Sequence, residues 1–465
     1  MVVVLAIAAW LRLRHLSLAE YDDDQAIALR IGHDILQGNI RTVGLASSSG
    51  ASNPPLYVYM VAVFVAIHDG LLFATATVAV ASLVAIVLAY VLVRPRFGGV
   101  VALTTAALFA TAPWAVLYGR HLWQQDYLPL VATGLLWSAF VVLERERTRV
   151  VALVPLLFVV AVQLNLSAIA LVVPVVALLA YRARRIDWRA AGVGAAVGVL
   201  SLAPWLAHVA KHGFHDVGLF FANGRGHHGG TAGGGAVQAV LETVHLVSAE
   251  GWGYVTGSEH QADWAWVLGR VAGIGVLALF AVGIAVSVRR AVAERRAPSL
   301  DTQRRALLVV WIVGICLAYV PSTRGGVGPH YLLVDYPVSF LLAALGLSDL
   351  AGRRVAFVAV TAIAAGFVAF TLSFQSFVAR HDGTTGVYDV TYEQSAALAA
   401  AVRARGLHVG YGRAEYLVSG HLNVPDGTLS QDIVQVRDRL RDQSPLPCSG
   451  RRRWFGPLEA CFPRT

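Results

Sequence analysis

Pro54-Pro55-Leu56-Tyr57-Val58-Tyr59-Met60-Val61-Ala62-Val63-Phe64-Val65-Ala66-Ile67-His68-Asp69-Gly70 is the stretch on which the fold of this 465-residue chain turns. Leu56 to Ile67 is wholly apolar yet only about a dozen residues long, whereas crossing a bilayer core of ~30 Å takes about 20. That length suits a helix lying in the interface or re-entering it. Reading it as non-spanning puts loops 94–97, 144–149, 182–189, 289–305 and 349–354 on one side, where they carry 17 arginines. The opposite loops (17–70, 119–127, 165–167, 211–263 and 321–330) carry six basic residues over a much longer length. Basic loops stay cytoplasmic. Counting Leu56 to Ile67 as a span breaks this parity at its first loop.

Composition agrees with a membrane class. The chain is 57% hydrophobic and 14% charged, with a mean hydropathy of +0.62, against roughly 25% charge in an average soluble domain. A soluble globule cannot hide that apolar surface, and a disordered chain shows the reverse balance. The net charge of +9 does not point to nucleic acid, because the arginines sit in short loops between apolar runs and Lys211 is the only lysine. Apolar runs at 71–93, 98–118, 189–210, 267–288 and 355–379 are long enough to span, and shorter ones fall at 128–143, 150–164, 168–181, 306–320 and 331–348. Val2 to Leu11 reads as a further span, shorter than a full crossing, as the tail of a helix that starts upstream would be.

The expected fold is therefore mainly α: a polytopic helical membrane protein of about eleven spanning helices, N-terminus inside and C-terminus outside. A transmembrane unit, 1–379, carries a first outer loop at 17–70 with interface-lying helices and a large outer loop at 211–263. Residues 380–465 form a small extracytoplasmic α/β domain, with a helix over Glu393 to Arg405 and a strand over Leu407 to Tyr411. Arg12 and Arg14 fall on the outer end of the first helix, against the charge rule. Cys316 reads as a packing residue. Cys448 and Cys461 either pair, as an extracytoplasmic compartment allows, or remain two thiols.

Polar chemistry collects on the outer face. Tyr21-Asp22-Asp23-Asp24-Gln25 sets three adjacent carboxylates just outside the first helix. They suit a general base or a cation; they equally suit an acidic turn at a helix start. An amphipathic stretch follows (Ile27, Ile31, Ile35, Leu36), then the polar loop Gly44 to Gly50. Gly119-Arg120-His121-Leu122-Trp123-Gln124-Gln125-Asp126-Tyr127 is a second cluster. Trp123 and Tyr127 are ordinary interface anchors, while Arg120 calls for a partner, either a lipid phosphate or Asp126. Arg324 to Tyr331 repeats the pattern with Arg324, His330 and Tyr331. Two patterns are discounted. Gly224-Arg225-Gly226-His227-His228-Gly229 lacks a preceding strand and a following helix, and the spacing of His212, His215, His227 and His228 fits no zinc pattern. No motif for ATP or nucleophilic serine chemistry occurs.

Together these blocks resemble the GT-C glycosyltransferases, in the branch of the protein O-mannosyltransferases and the bacterial aminoarabinose transferase (glycosyltransferase family 39-like). The resembling stretches are Asp24-Gln25-Ala26, Ser47 to Gly50, Pro54-Pro55-Leu56-Tyr57, Pro113-Trp114, Arg120 to Trp123 and His330-Tyr331. The resemblance runs over residues 1–350, in order, on the expected outer face. It implies that a first-loop acid is catalytic. Spacing to Ile35-Leu36-Gln37-Gly38 places that acid at Asp24, with Gln25 where the family usually has Glu; Asp23-Asp24 is the other register. Asp126 matches a second acid of some members.

The implied reaction moves a sugar, with inversion, from a polyprenyl-phosphate carrier to an extracytoplasmic acceptor (glycolipid, polysaccharide or protein) at the cytoplasmic membrane. Asp24 takes the acceptor proton, and Arg120, Arg324 or His330 meets the departing phosphate, with Trp123 and Tyr331 beside it. No cofactor is expected, and no divalent metal in this branch. The alternative class is a transporter or lipid flippase, whose helices carry broken segments and mid-membrane ionisable groups. The sequence names neither the sugar nor the acceptor.

Overall fold

A computed structural model describes residues 1–47, 50–224, 234–257, 263–322, 327–380, 390–409, 433–438 and 450–463, with the single positions Gly386, Tyr388, Leu417, Val418 and Cys448. Helices α1 (Val2–Leu13), α2 (Asp23–Leu36), α3 (Leu56–Ile67), α4 (Leu71–Thr111), α5 (Pro113–Tyr118) and α6 (Leu128–Glu144) form the first third. Next come α7 (Leu153–Leu164), α8 (Val172–Tyr181), α9 (Trp188–Ser201), α10 (Ala203–Lys211), α11 (His215–Gly224), α12 (Gly234–Val247) and α13 (Gly253–Thr256). The last are α14 (Trp264–Ala293), α15 (Leu300–Ala318), α16 (Val338–Leu350), α17 (Arg353–Arg380) and α18 (Tyr392–Arg403). The chain is a multi-pass membrane protein. Among the described residues four helices are long and apolar enough to cross, or six if the bent pairs α9–α10 (55°) and Pro329–Asp335 with α16 (59°) each count as one span.

All eleven apolar runs fall on helical segments, with differences at their joints. Residues 94–97, expected as a loop, are helical; the break comes at Gly98, whose φ of +88° only glycine adopts readily. The run 189–210 is interrupted at Leu202, and 331–348 opens as a 3-10 turn over Pro329–Asp335. The core is built by α4, α14, α16 and α17. Where α14 meets α16, a Cβ on Gly283 would stand 2.0 Å from the Leu342 carbonyl oxygen, and one on Gly346 2.1 Å from that of Leu279. Small residues let these two backbones touch.

Ion pairs draw the arginine-rich loops to one end. Arg96 meets Glu144 at 2.6 and 2.9 Å, and Arg304 meets the same carboxylate at 2.9 Å. Arg305 and Arg290 share Asp301 and Asp349, and Arg185 pairs with Glu146. Loops from 17–70, 119–127, 165–167 and 321–330 instead meet one another. Asn165 donates to Gln125, the Leu166 N–H to Asn53, and Ser167 to the Tyr331 carbonyl.

Arg12 now has a reason. Its side chain is fully buried, and its Nη atoms donate to the carbonyls of Ala8, Phe109, Ala110 and Ala115 while Nε donates to Ser82. Pro113, at the first position of α5, has no N–H to offer the Phe109 carbonyl, so the guanidinium satisfies oxygens that the α4–α5 break would orphan. Arg14 lies over the Trp10 ring at 4.8 Å.

The C-terminal region forms a four-stranded sheet from β1 (His408–Val409), β2 (Ile433–Asp438), β3 (Arg451–Phe455) and β4 (Leu458–Phe462), in the order β1-β2-β4-β3. β1 pairs parallel to β2; the other pairs are antiparallel. Residues 410–411 of the expected strand lie outside the described residues. Cys448 and Cys461 are disulfide-bonded, and Cys316 is a buried thiol.

Candidate active site

Asp22 ends the extended segment before α2 and caps that helix; the Gln25 side chain returns to the Asp22 N–H at 2.6 Å, closing a capping box. Asp22 is thereby occupied by its own helix, and Asp23 and Asp24 stand in the first turn, Asp23 half-buried and Asp24 exposed. The preceding residues Ala19 to Tyr21 are held by the C-terminal region. Tyr392 N–H bonds the Ala19 carbonyl at 3.0 Å, Tyr21 N–H the Val390 carbonyl at 2.8 Å, and Tyr388 donates its hydroxyl to the Leu18 carbonyl.

Gln25, fully buried, is the hinge of the site. Its Nε2 lies 2.8 Å from His121 Nε2, joining α2 to the Gly119–Tyr127 segment. His121 also meets Asp126 Oδ2 through Nδ1 at 3.2 Å and Glu20 Oε2 through Nε2 at 3.4 Å. Burial works against a charged imidazole here, but the hydrogen bonds and charges of Asp126 and Glu20 outweigh it, and the His121 pKa is pushed up to about 10. The Gln25 amide donates to Nε2 only while that nitrogen carries no proton. With its pKa at about 10 the imidazole is charged at neutral pH, and Asp126 and Glu20 accept from its two nitrogens.

Aromatic contacts extend the group. The His121 and Trp123 rings are 4.3 Å apart, Trp123 and His330 5.4 Å, and His330 and Tyr331 4.0 Å. Trp123 Nε1 and Asp126 Oδ1 are buried and have no hydrogen-bond partner among the described residues. Tyr57, from the stretch that decided the topology, donates to the Leu122 carbonyl at 3.0 Å. Burial raises its pKa, with the Asp126 and Asp24 charges adding to the shift.

The structure brings together Asp126, Trp123, His330 and Tyr331, and joins Asp23 and Asp24 to them through Gln25. Arg120 differs from expectation. It does not pair with Asp126; its guanidinium donates to the Leu11 and His15 carbonyls at 3.3 and 2.7 Å, holding the end of α1. Arg324, His227 and His228 lie outside the described residues. Sequence reasoning passed over Glu20, Gln25 and His121 as site residues; Glu20 beside Tyr21 and His121 beside Arg120 were visible, but nothing in spacing tells that they meet. Among the described residues no group of three His, Cys, Asp or Glu side chains is arranged to hold a metal ion.

Residues 52–208 match the family model described as dolichyl-phosphate-mannose-protein mannosyltransferase. ArnT from Cupriavidus metallidurans, in a structure bound to undecaprenyl phosphate, superposes with a TM-score of 0.61 at 13% identity over 94% of this chain and 92% of that one. The fold is that of ArnT. The apo form of the same ArnT gives a TM-score of 0.59 at 14% identity, covering 91% of this chain and 83% of that one. The Archaeoglobus fulgidus oligosaccharyltransferase, in complex with Zn and sulfate, gives 0.50 at 13% identity, over 90% of this chain and 61% of that longer one. No curated protein sequence matches the chain.

Proposed function

We propose that this protein is a polyprenyl-phosphate-dependent glycosyltransferase that moves a sugar, with inversion, to an acceptor on the outer face of the cytoplasmic membrane. The family model and the ArnT likeness support the reaction class, and they do not favour a transporter or flippase. The observation that carries the residue assignment is the Gln25–His121 contact, which ties the turn bearing Asp23 and Asp24 to the buried Asp126–Trp123–His330 corner.

In this reading the acceptor hydroxyl attacks the anomeric carbon, the bond from that carbon to the phosphate oxygen breaks, and the acceptor proton passes to Asp24. The carrier leaves as polyprenyl phosphate. Trp123 Nε1, His330 and Tyr331 face the departing phosphate, and the sequence adds Arg324 to them. Arg120 serves by fixing α1 under the acidic turn. The activated donor supplies the driving force, so no nucleotide is needed. Outer-face placement rests on the arginine-rich loops, which the ion pairs gather at the end away from the acidic turn.

The test is mass spectrometry of envelope glycans and polyprenyl-linked sugars from a deletion strain with and without the gene restored. The account expects one glycoconjugate to disappear and a polyprenyl-phosphate sugar to accumulate. An unchanged profile in both pools contradicts it.

A further inference from the structure

α12 belongs to the large outer loop, and its packing is set by the segment that carries His330 and Tyr331. Thr243 donates to Asp335 Oδ2 at 3.0 Å, Tyr336 donates to the Leu246 carbonyl at 2.9 Å, and the Gly235 N–H bonds Ser322. On this anchored helix Glu242 and His245 stand one turn apart, with His245 Nδ1 2.9 Å from Glu242 Oε2. A carboxylate oxygen only accepts, so Nδ1 carries a proton; in the neutral imidazole this leaves Nε2 as the acceptor nitrogen. The other carboxylate oxygen of Glu242 accepts from Gln238. The carboxylate is thus fixed on both sides, and its side chain is 9% exposed while that of His245 is 30% exposed. The imidazole seats on Gly251, where a Cβ would lie 2.7 Å from the ring and where φ is +73°.

α12, which carries this dyad, packs against Pro329–Asp335, the segment of His330 and Tyr331, and against α5. Tyr254, at the tip of the segment following Gly251, has its pKa raised by burial and, after that, by Tyr331, Glu20 and Glu242 together. One phenol therefore feels the donor-side segment, the first outer loop and α12. Trp114 holds this tip by donating to the Glu250 carbonyl at 3.0 Å.

We propose that His245, aligned by Glu242, is a second hydroxyl-binding imidazole of the site, accepting a hydrogen bond at Nε2 from a carbohydrate hydroxyl of the acceptor or the transferred sugar. An imidazole oriented through one nitrogen, with the other outside the dyad, is an arrangement that recognises such a group. The inference rests on the transferase reading and adds a residue to it.

The experiment uses the full chain in the complemented deletion strain and, in parallel, purified in nanodiscs. His245→Phe keeps the ring and removes the acceptor; product should fall about 100-fold, and His245→Gln, which retains an acceptor, should lose less than His245→Phe, with membrane protein levels unchanged. If His245→Phe spends the donor but releases free sugar, the bound hydroxyl is the acceptor's. If the donor accumulates unspent, it is the sugar's. Product from His245→Phe at the wild-type level overturns the inference while leaving the transferase intact. Undecaprenyl phosphate, used as a sugar-free probe, should raise the melting temperature of wild type and His245→Phe equally; loss of that shift in the variant makes His245 a phosphate contact and also overturns it. If the restored wild type itself yields no glycoconjugate, the transferase reading has failed. Carbethoxylation then still decides on the imidazole: His245 should react at a rate comparable to the exposed His212, and an unmodified His245 overturns the proposal.

Discussion

Asp22, Asp23 and Asp24 are chemically alike, and their surroundings separate them. Asp22 caps α2, a task asparagine performs as well as aspartate, so Asp22→Asn should retain most activity, read as glycoconjugate restored in the deletion strain. His121 offers a pH signature. Its pKa is raised from an unfolded value of about 6.5 to about 10, so its stabilising contribution is complete below pH 6.5 and lost as the pH climbs through 10. Thermal unfolding followed from pH 6 to 10 should show falling stability in the wild type and a flatter profile in His121→Gln. Arg12 carries the largest residue-level consequence. Replacing it with Met strands the oxygens at the α4–α5 break, for which we expect a loss of about 3 kcal/mol by thermal melting in detergent.

At the scale of elements, apolar run length located the helices well, because a bilayer imposes the same requirement on every span. It located their joints poorly. Gly98 breaks α4 by one residue's dihedral angles, with helix continuing through Pro95 on the way to it, and α9 parts from α10 at Leu202, just before Pro204, which has no N–H for the Leu200 carbonyl. The acidic turn was visible because three carboxylates in an apolar chain stand out. The Glu20–His121–Asp126 group was not, since Glu20 lies about a hundred residues before the other two and meets His121 only through packing. Arg120 shows the opposite error: an outer-face arginine reads as a phosphate ligand, yet main-chain carbonyls at the end of α1 are equally good acceptors. The C-terminal hairpin β3–β4 is stapled by Cys448–Cys461 across 13 residues, and closing a loop of that size is worth about 3 kcal/mol. Cys461→Ser should lower the stability of that region by a similar amount under oxidising conditions, while reductant should have no further effect on the variant.

For the whole molecule, reading Leu56 to Ile67 as non-spanning predicts that opposite ends of the bundle face opposite compartments. A cysteine at Glu146, among the ion-paired loops, should react with an impermeant maleimide only in inverted vesicles; one at Asn39 should react in intact cells. Reversed labelling would place the acidic turn in the cytosol and remove the basis for outer-face transfer. The end holding the acidic turn is also where the C-terminal region grips the chain, through Tyr388, Val390 and Tyr392, so the sheet and the site are coupled. The most direct measurement is on Asp24→Asn, expressed in the deletion strain at the wild-type membrane level, with envelope glycoconjugate and polyprenyl-phosphate sugar quantified together. The account predicts product reduced at least 100-fold with the lipid-linked sugar accumulating. Product restored to the wild-type amount, with no accumulation, would contradict it.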